Sequence, residues 1–332
     1  MPIATQTQTT TLPTSSPSVL KLRAPNAQEP AHVKQLRENG FAVVPNVLGK
    51  ERAEEYVRRA NEWLKAFGKG FDVEDRSTWH VQNLPPHHRG GLYNDLAVGH
   101  EDLLWSIRAE PELIKIFAEL WGTDELLVSF DGANFSIPLP KEEIQNGGAP
   151  WPHVDQSPLK RELNCVQGIM NLAPNGPTDG GLMVLSGSFP LYKQFFEEHA
   201  HEEPEGGWPK IDSYHHTPSQ LQWFYDRGCE WKHVDAGAGD VILWDSRCIH
   251  YGAAPTGDNA RYATYVCYKP ADMCSPEHLE ERKQAAAKYY NMSHDPTCAR
   301  VVTNRQAAVR SEPSKPFQHT ERTKRLAGIE AY

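Results

Sequence analysis

The segment His153-Val154-Asp155 constrains the fold more than any other stretch of the chain. A histidine and a carboxylate two positions apart can grip one ion only where the backbone is extended, because side chains alternate across a strand and a helix would turn the two apart. A third ligand must then come from a distant strand lying alongside. The apolar run from Gly239 to Asp245 suits that place, and His250 follows its end. Two imidazoles and one carboxylate on one face of a metal leave positions open opposite, which is the ligand set of non-haem Fe(II) sites. His153, Asp155 and His250 are therefore the expected metal ligands.

Beyond His250 comes turn chemistry at Pro255-Thr256-Gly257-Asp258-Asn259, then Arg261 at the head of an apolar strand to Tyr268. Read as a hairpin, this stretch returns a guanidinium to the metal. Its planar fork of donors suits a carboxylate held at two points, worth about 1.5–3 kcal/mol as a charge-assisted contact. The natural guest is the distal carboxylate of 2-oxoglutarate, with O₂ as the second co-substrate.

With these residues in place, the sequence resembles the phytanoyl-CoA dioxygenase family of Fe(II)/2-oxoglutarate oxygenases. The resemblance runs from about Leu126 to Tyr268. It rests on His153-x-Asp155, Gln167-Gly168-Ile169-Met170-Asn171-Leu172, the stretch Gly180 to Phe189, Gly239-Asp240-Val241 leading to His250, and Arg261. It implies a mainly β protein with flanking helices and a double-stranded β-helix core of jelly-roll, cupin-like type. It also implies iron on His153, Asp155 and His250, 2-oxoglutarate on Arg261, and Gln167 facing the same pocket. Two motifs depart from the family pattern. Its usual Pro-Gly-Ser-His stands here as Ser186-Gly187-Ser188-Phe189, and its Leu-Asp-Asp as Leu172-Ala173-Pro174. The carboxylate at Asp155 disfavours halogenation, since related halogenases place a small residue there.

A chain of 332 residues with 39% hydrophobic content can bury one large core, and no division into two domains is evident. A net charge of −9 without a Lys/Arg stripe argues against nucleic acid and leaves a small organic molecule as the expected partner. The six cysteines have no Cys-x-x-Cys or zinc-finger spacing and read as reduced thiols. No apolar run approaches membrane-span length. The ending Glu330-Ala331-Tyr332 is not a peroxisomal address. A cytoplasmic location is expected.

Residues 1–28, rich in Thr, Ser, Gln and Pro, are expected to form a flexible tail, with a transit peptide as the rival reading. Residues 29–332 then form one catalytic domain. Its expected parts include a helix from Pro30 to Asn39 closed by Gly40, a strand at Phe41–Pro45 and an amphipathic helix from Lys50 to Phe67. Helices follow around Leu103–Ile107 and Pro111–Trp121, with strands at Leu126–Phe130 and Ala133–Ile137. An aromatic insertion at about 190–229 reads as a lid or a buttress, and a helical extension closes the chain. The paired histidines His87-His88 and His215-His216 read as solvent-facing.

The stretches Gly181–Gly187 and Ser213–His250 resemble fungal members of the family that tailor aromatic polyketides. That resemblance implies oxidation at a benzylic or ring carbon, with release of succinate and CO₂. Asn134, Phe135, Trp151 and Trp244, with Tyr93, are the candidate pocket residues, aromatics suiting flat apolar guests. The alternatives are a fatty-acyl hydroxylase of the phytanoyl-CoA type and a catalytically silent metal- or small-molecule-binding module, zinc included.

Overall fold

The computed structural model describes residues 19–143, 149–298, 301–302, 306 and 308–332. Of the expected tail, residues 1–18 lie outside the described residues. Residues 19–28 are not a tail. Leu20 is buried and Leu22 packs on the core, while the Arg23 N–H donates to the Leu120 carbonyl at 2.8 Å. Two leucines give this segment apolar surface enough to dock.

The described strands are β1 (Phe41–Val44), β2 (Leu92–Tyr93), β3 (Leu126–Val128), β4 (Ala133–Ser136), β5 (His153–Val154), β6 (Val166–Asn171) and β7 (Gly181–Ser186). They continue with β8 (Tyr214–His215), β9 (Glu230–His233), β10 (Val241–Asp245), β11 (His250–Ala253), β12 (Arg261–Pro270), β13 (Asn291–Met292) and β14 (Val301–Val302). The major sheet runs β1-β10-β6-β12-β4-β2, with β3 also on β12, and the minor sheet runs β8-β5-β11-β7-β9. Pairing is antiparallel throughout both. From β5 to β12 the chain passes repeatedly from one sheet to the other, as in a jelly roll. The fold is the double-stranded β-helix with flanking helices.

This topology corrects one expectation. β11 and β12 are not a hairpin, because β11 belongs to the minor sheet and β12 to the major one. The turn at Pro255–Asn259 carries the chain across the sandwich, and Arg261 therefore looks across at the ligand strands instead of lying beside them. The strand alongside His153 is β11 itself, not the 239–245 run, which pairs with β1 and β6.

Three apolar layers follow from strand alternation. On the outer face of the major sheet, Phe135, Tyr262, Val266 and Tyr268 pack with helices α2 (Lys50–Lys65), α3 (Asp102–Arg108) and α4 (Pro111–Trp121). Helix α1 (Ala31–Asn39) ends at Gly40, whose φ of +78° is the left-handed cap that lets β1 begin at once. Between the sheets lie Ile169, Leu182, Val184, Ile242, Trp244 and Ala263. On the outer face of the minor sheet, Val154, Leu185 and Ile249 meet Tyr192, Phe195, Phe196, Trp208 and Phe224. These last come from the 190–229 insertion, including α5 (Tyr192–Glu198) and α6 (Pro218–Tyr225). The insertion is thus placed as a buttress behind the sheet that carries His153, and its aromatics are satisfied there.

The C-terminal part holds α7 (Pro276–Ala287) and α8 (Glu321–Ala327). Between them, residues 291–298 turn back into the β-helix. There the Lys269 ammonium donates to Asp295 at 3.0 Å, and Asp295 also accepts from the N–H of Thr297 and the amide of Asn164.

Candidate metal centre

β5 and β11 are neighbours in register, with His250 directly opposite His153. Cross-strand partners bring their β-carbons to roughly 5 Å, and here the ring centroids are 4.3 Å apart. Asp155, two residues past His153, turns back to the same face. Its Oδ1 lies 3.4 Å from His153 Nε2 and its Oδ2 3.3 Å from His250 Nε2. One ligand atom from each of the three residues falls within 4.8 Å of the others, and among the described residues no other such cluster of three occurs.

The tautomers are set by the backbone. His153 Nδ1 sits 3.1 Å from the Trp151 carbonyl and His250 Nδ1 2.9 Å from that of Cys248. A carbonyl can only accept, so each Nδ1 carries the proton and each Nε2 presents its lone pair to the shared space. Burial, then the neighbouring His250, lowers the His153 pKa to about 4, against the pull of Asp155. A neutral imidazole is what a divalent metal requires. Burial alone would raise the Asp155 carboxyl, but the electrostatic pull of His153 and His294 holds it well below its usual range. Gln167, on β6, donates from Nε2 to Asp155 Oδ2 at 3.0 Å. It orients the carboxylate from behind.

Across the sandwich, the inward residues of β12 are Arg261, Ala263, Tyr265 and Cys267. Arg261 is 5% exposed, its Nε has no hydrogen-bond partner, and among the described residues no carboxylate pairs with it. Its electrostatic neighbour is the Tyr265 hydroxyl. A buried guanidinium left this way calls for an anionic guest. The donor set and this cation without a carboxylate partner together fit a ferrous ion with a dicarboxylic co-substrate.

The expected pocket aromatics divide. Trp151 stacks on His153 at 4.2 Å and 13°, and Trp244 faces inward with its ring 5.4 Å from His250. The Trp244 indole N–H is buried without a partner. Phe135 and Tyr93 do not join them. Phe135 pairs with Tyr262 across β4 and β12, on the outer face, and packs with Tyr93 against Trp63. Asn134, one position away, is the inward residue, and its Oδ1 accepts from Ser136 Oγ at 2.7 Å. His215 stacks on His153 at 5.5 Å from β8, while His216 is buried among aromatics of the insertion instead of facing solvent. His87 is half-buried with Nδ1 on the Pro85 carbonyl, its ring tilted against Tyr93.

Two further titratable residues that the motifs do not reveal bear on Asp155. Asp131 sits where β3 gives way to β4, and His294 lies in the inserted 291–298 segment. Both couple electrostatically to Asp155. Neither stands at a diagnostic spacing, and His294 is far downstream of the ligand motifs.

Comparison with known proteins agrees with this geometry. A family model described as phytanoyl-CoA dioxygenase matches residues 36–263. The chain is 39% identical over 264 residues to "Ava biosynthesis cluster protein O" of Aspergillus versicolor, covering 79% of this chain and 84% of that protein. The fold is also similar to that of GlcNAc Inducible Gene 2 from Candida albicans, with a TM-score of 0.60 and 14% identity, over 90% of this chain and 76% of that one. It is similar too to EctD from S. alaskensis, with a TM-score of 0.51 and 14% identity, over 78% and 83%.

Proposed function

The chain belongs to the phytanoyl-CoA dioxygenase family of Fe(II)/2-oxoglutarate-dependent oxygenases, and from that premise we propose that it oxidises a C–H bond of a small organic molecule in secondary metabolism. The substrate we assign is an aromatic compound of polyketide type, attacked at a benzylic or ring carbon. Similarity to a fungal biosynthesis cluster protein supports the biosynthetic role. The indoles of Trp151 and Trp244 beside the ligand histidines support a flat guest.

The observation that carries the reading is the three-residue cluster itself: two Nε2 lone pairs and one carboxylate converging from adjacent strands, with a buried guanidinium on the facing sheet that no carboxylate among the described residues pairs with. In this reading His153, Asp155 and His250 hold the metal and Gln167 fixes the rotamer of Asp155. Arg261, helped by the Tyr265 hydroxyl, takes the distal carboxylate of 2-oxoglutarate. When bound, iron with 2-oxoglutarate and O₂ supplies the oxidising power, releasing succinate and CO₂. Ile169, Leu182, Val184 and Ile242, packed between the sheets, keep the surroundings of the site apolar, which limits water at the reacting centre.

Anaerobic addition of Fe(II) and 2-oxoglutarate is expected to give a weak visible charge-transfer band, with succinate released on exposure to air. Asp155→Ala should lose both, and full succinate formation in that variant would refute the ligand assignment. Arg261→Ala should raise the apparent KM for 2-oxoglutarate by about ten- to a hundredfold, the worth of one charge-assisted contact. An unchanged KM would remove Arg261 from this role.

A further inference from the structure

A cavity of about 370 Å³ opens between α3, α7 and the C-terminal residues 316–329. That is within the size of small-molecule sites, roughly 300–1,000 Å³. None of its lining residues belongs to the metal cluster, and α3 packs on the outer face of the major sheet, so this space is separate from the one between the sheets. Its walls are aromatic. Trp105 and Phe317 lie nearly parallel, at 5.9 Å and 20°, and Tyr289 meets His100 edge to face at 5.8 Å and 70°. The small side chains of Ala286, Ala287 and Ala327 leave the room between them.

Tyr289 adopts a strained backbone to line this space. Helix α7 ends at Ala287, and two residues later Tyr289 has φ +53°, the left-handed conformation with which a helix commonly closes on glycine. A bulky side chain rarely enters this region, and residues held there cluster at sites that clamp a ligand. The Tyr290 N–H donates to the Ala285 carbonyl at 2.9 Å and fixes the turn, which delivers the Tyr289 ring to the cavity wall.

Charge is confined to the rim. Burial lowers the pKa of His100 to about 3 and also lowers that of His319, so both imidazoles of the wall are neutral near pH 7. Lys283, exposed at the mouth, is the one lining residue that carries a charge, and among the described residues no carboxylate pairs with it. Lys324, by contrast, is taken up by Glu330 at 2.8 Å. Ile329, 40% exposed, adds apolar surface to the rim.

We propose that this cavity is a second binding site, for a flat aromatic carboxylic acid whose rings lie among Trp105, Tyr289 and Phe317 and whose carboxylate meets the Lys283 ammonium. Aromatic walls favour planar guests through offset and edge-to-face contact. A neutral interior with one cation at its mouth selects a guest that is apolar except for one anionic end. The site goes beyond the oxygenase reading and requires neither iron nor 2-oxoglutarate.

The test titrates full-length protein with 2-naphthoate and with its neutral isostere 2-naphthamide by isothermal calorimetry. The wild-type protein should bind one molecule of the acid, about fivefold more tightly than the amide, the upper range for an exposed ion pair. Lys283→Met keeps the apolar stem and removes the charge, and should bring the two affinities within about twofold while leaving that of the amide unchanged. Ala286→Trp fills the cavity and should abolish binding of both. No binding in the wild type, equal affinity for acid and amide, an acid preference kept in Lys283→Met, or binding kept in Ala286→Trp overturns the site. Lys283 is exposed, so its variant keeps the fold and decides the matter by itself.

Discussion

Gln167 holds Asp155 through a single hydrogen bond, and Asp155 in turn touches both ligand imidazoles. Partners of this kind fix the rotamer of a metal-binding carboxylate, and their loss typically costs ten- to a hundredfold in metal affinity or activity. Gln167→Ala should therefore weaken Fe(II) binding by about that factor while the fold stays intact, measured by competition with a chromophoric chelator. An unchanged affinity would make Gln167 a bystander. The cluster of His153, Asp155 and His250 was legible in the sequence, because two side chains on one face of a strand fix their own spacing. The pocket wall was legible only in part. Asn134 and Phe135 differ by one position, and in a strand one position exchanges the inner face for the outer.

At the scale of elements, strands and helices follow their sequence signals closely, whereas connections do not. Pro255–Asn259 has the chemistry of a tight turn, and a tight turn serves a hairpin and a crossing between sheets equally well; only the pairing partners of β11 and β12 decide. The 190–229 insertion is similar. Its aromatic content suits a lid or a buttress, and the choice is made by where Phe195, Phe196 and Phe224 find apolar surface, on Val154, Leu185 and Ile249 behind the minor sheet. Phe195 is fully buried, its ring 4.9 Å from Phe224 and 5.0 Å from Phe196. Phe195→Ala should lower the unfolding free energy by about 3–5 kcal/mol, as for other buried phenylalanines, read by urea denaturation. A mobile lid would instead lose turnover with little change in stability.

For the molecule as a whole, two buried imidazoles outside the proposed ligand set contribute to its behaviour in acid. His216 lies among Phe195, Phe224 and Tyr214 with both ring nitrogens unpaired, and burial, with His153 next, lowers its pKa from 6.5 to about 3. His100, beside Phe130 under the C-terminal helices, is lowered to about 3 for the same first reason, although its ring meets the Tyr290 carbonyl. The sign follows from linkage. The unfolded chain takes up a proton near pH 6.5 and the folded chain does not, so stability is full above 6.5 and declines as pH falls toward 3. At pH 5 each group costs about 2 kcal/mol relative to pH 8. His294 has the opposite sign. Its pKa is pushed up to about 10 by Asp155 and Cys165 against burial, so its contribution is held at low pH and lost only as pH rises toward 10. The acid loss between pH 6.5 and 4 therefore belongs to the depressed groups. His216→Phe keeps an aromatic ring in the same cluster and removes the titration. The variant should lose about 2 kcal/mol less than the wild type between pH 8 and pH 5 in paired urea denaturations. An equal loss in both proteins would show that His216 stays neutral in neither state or is exposed in both.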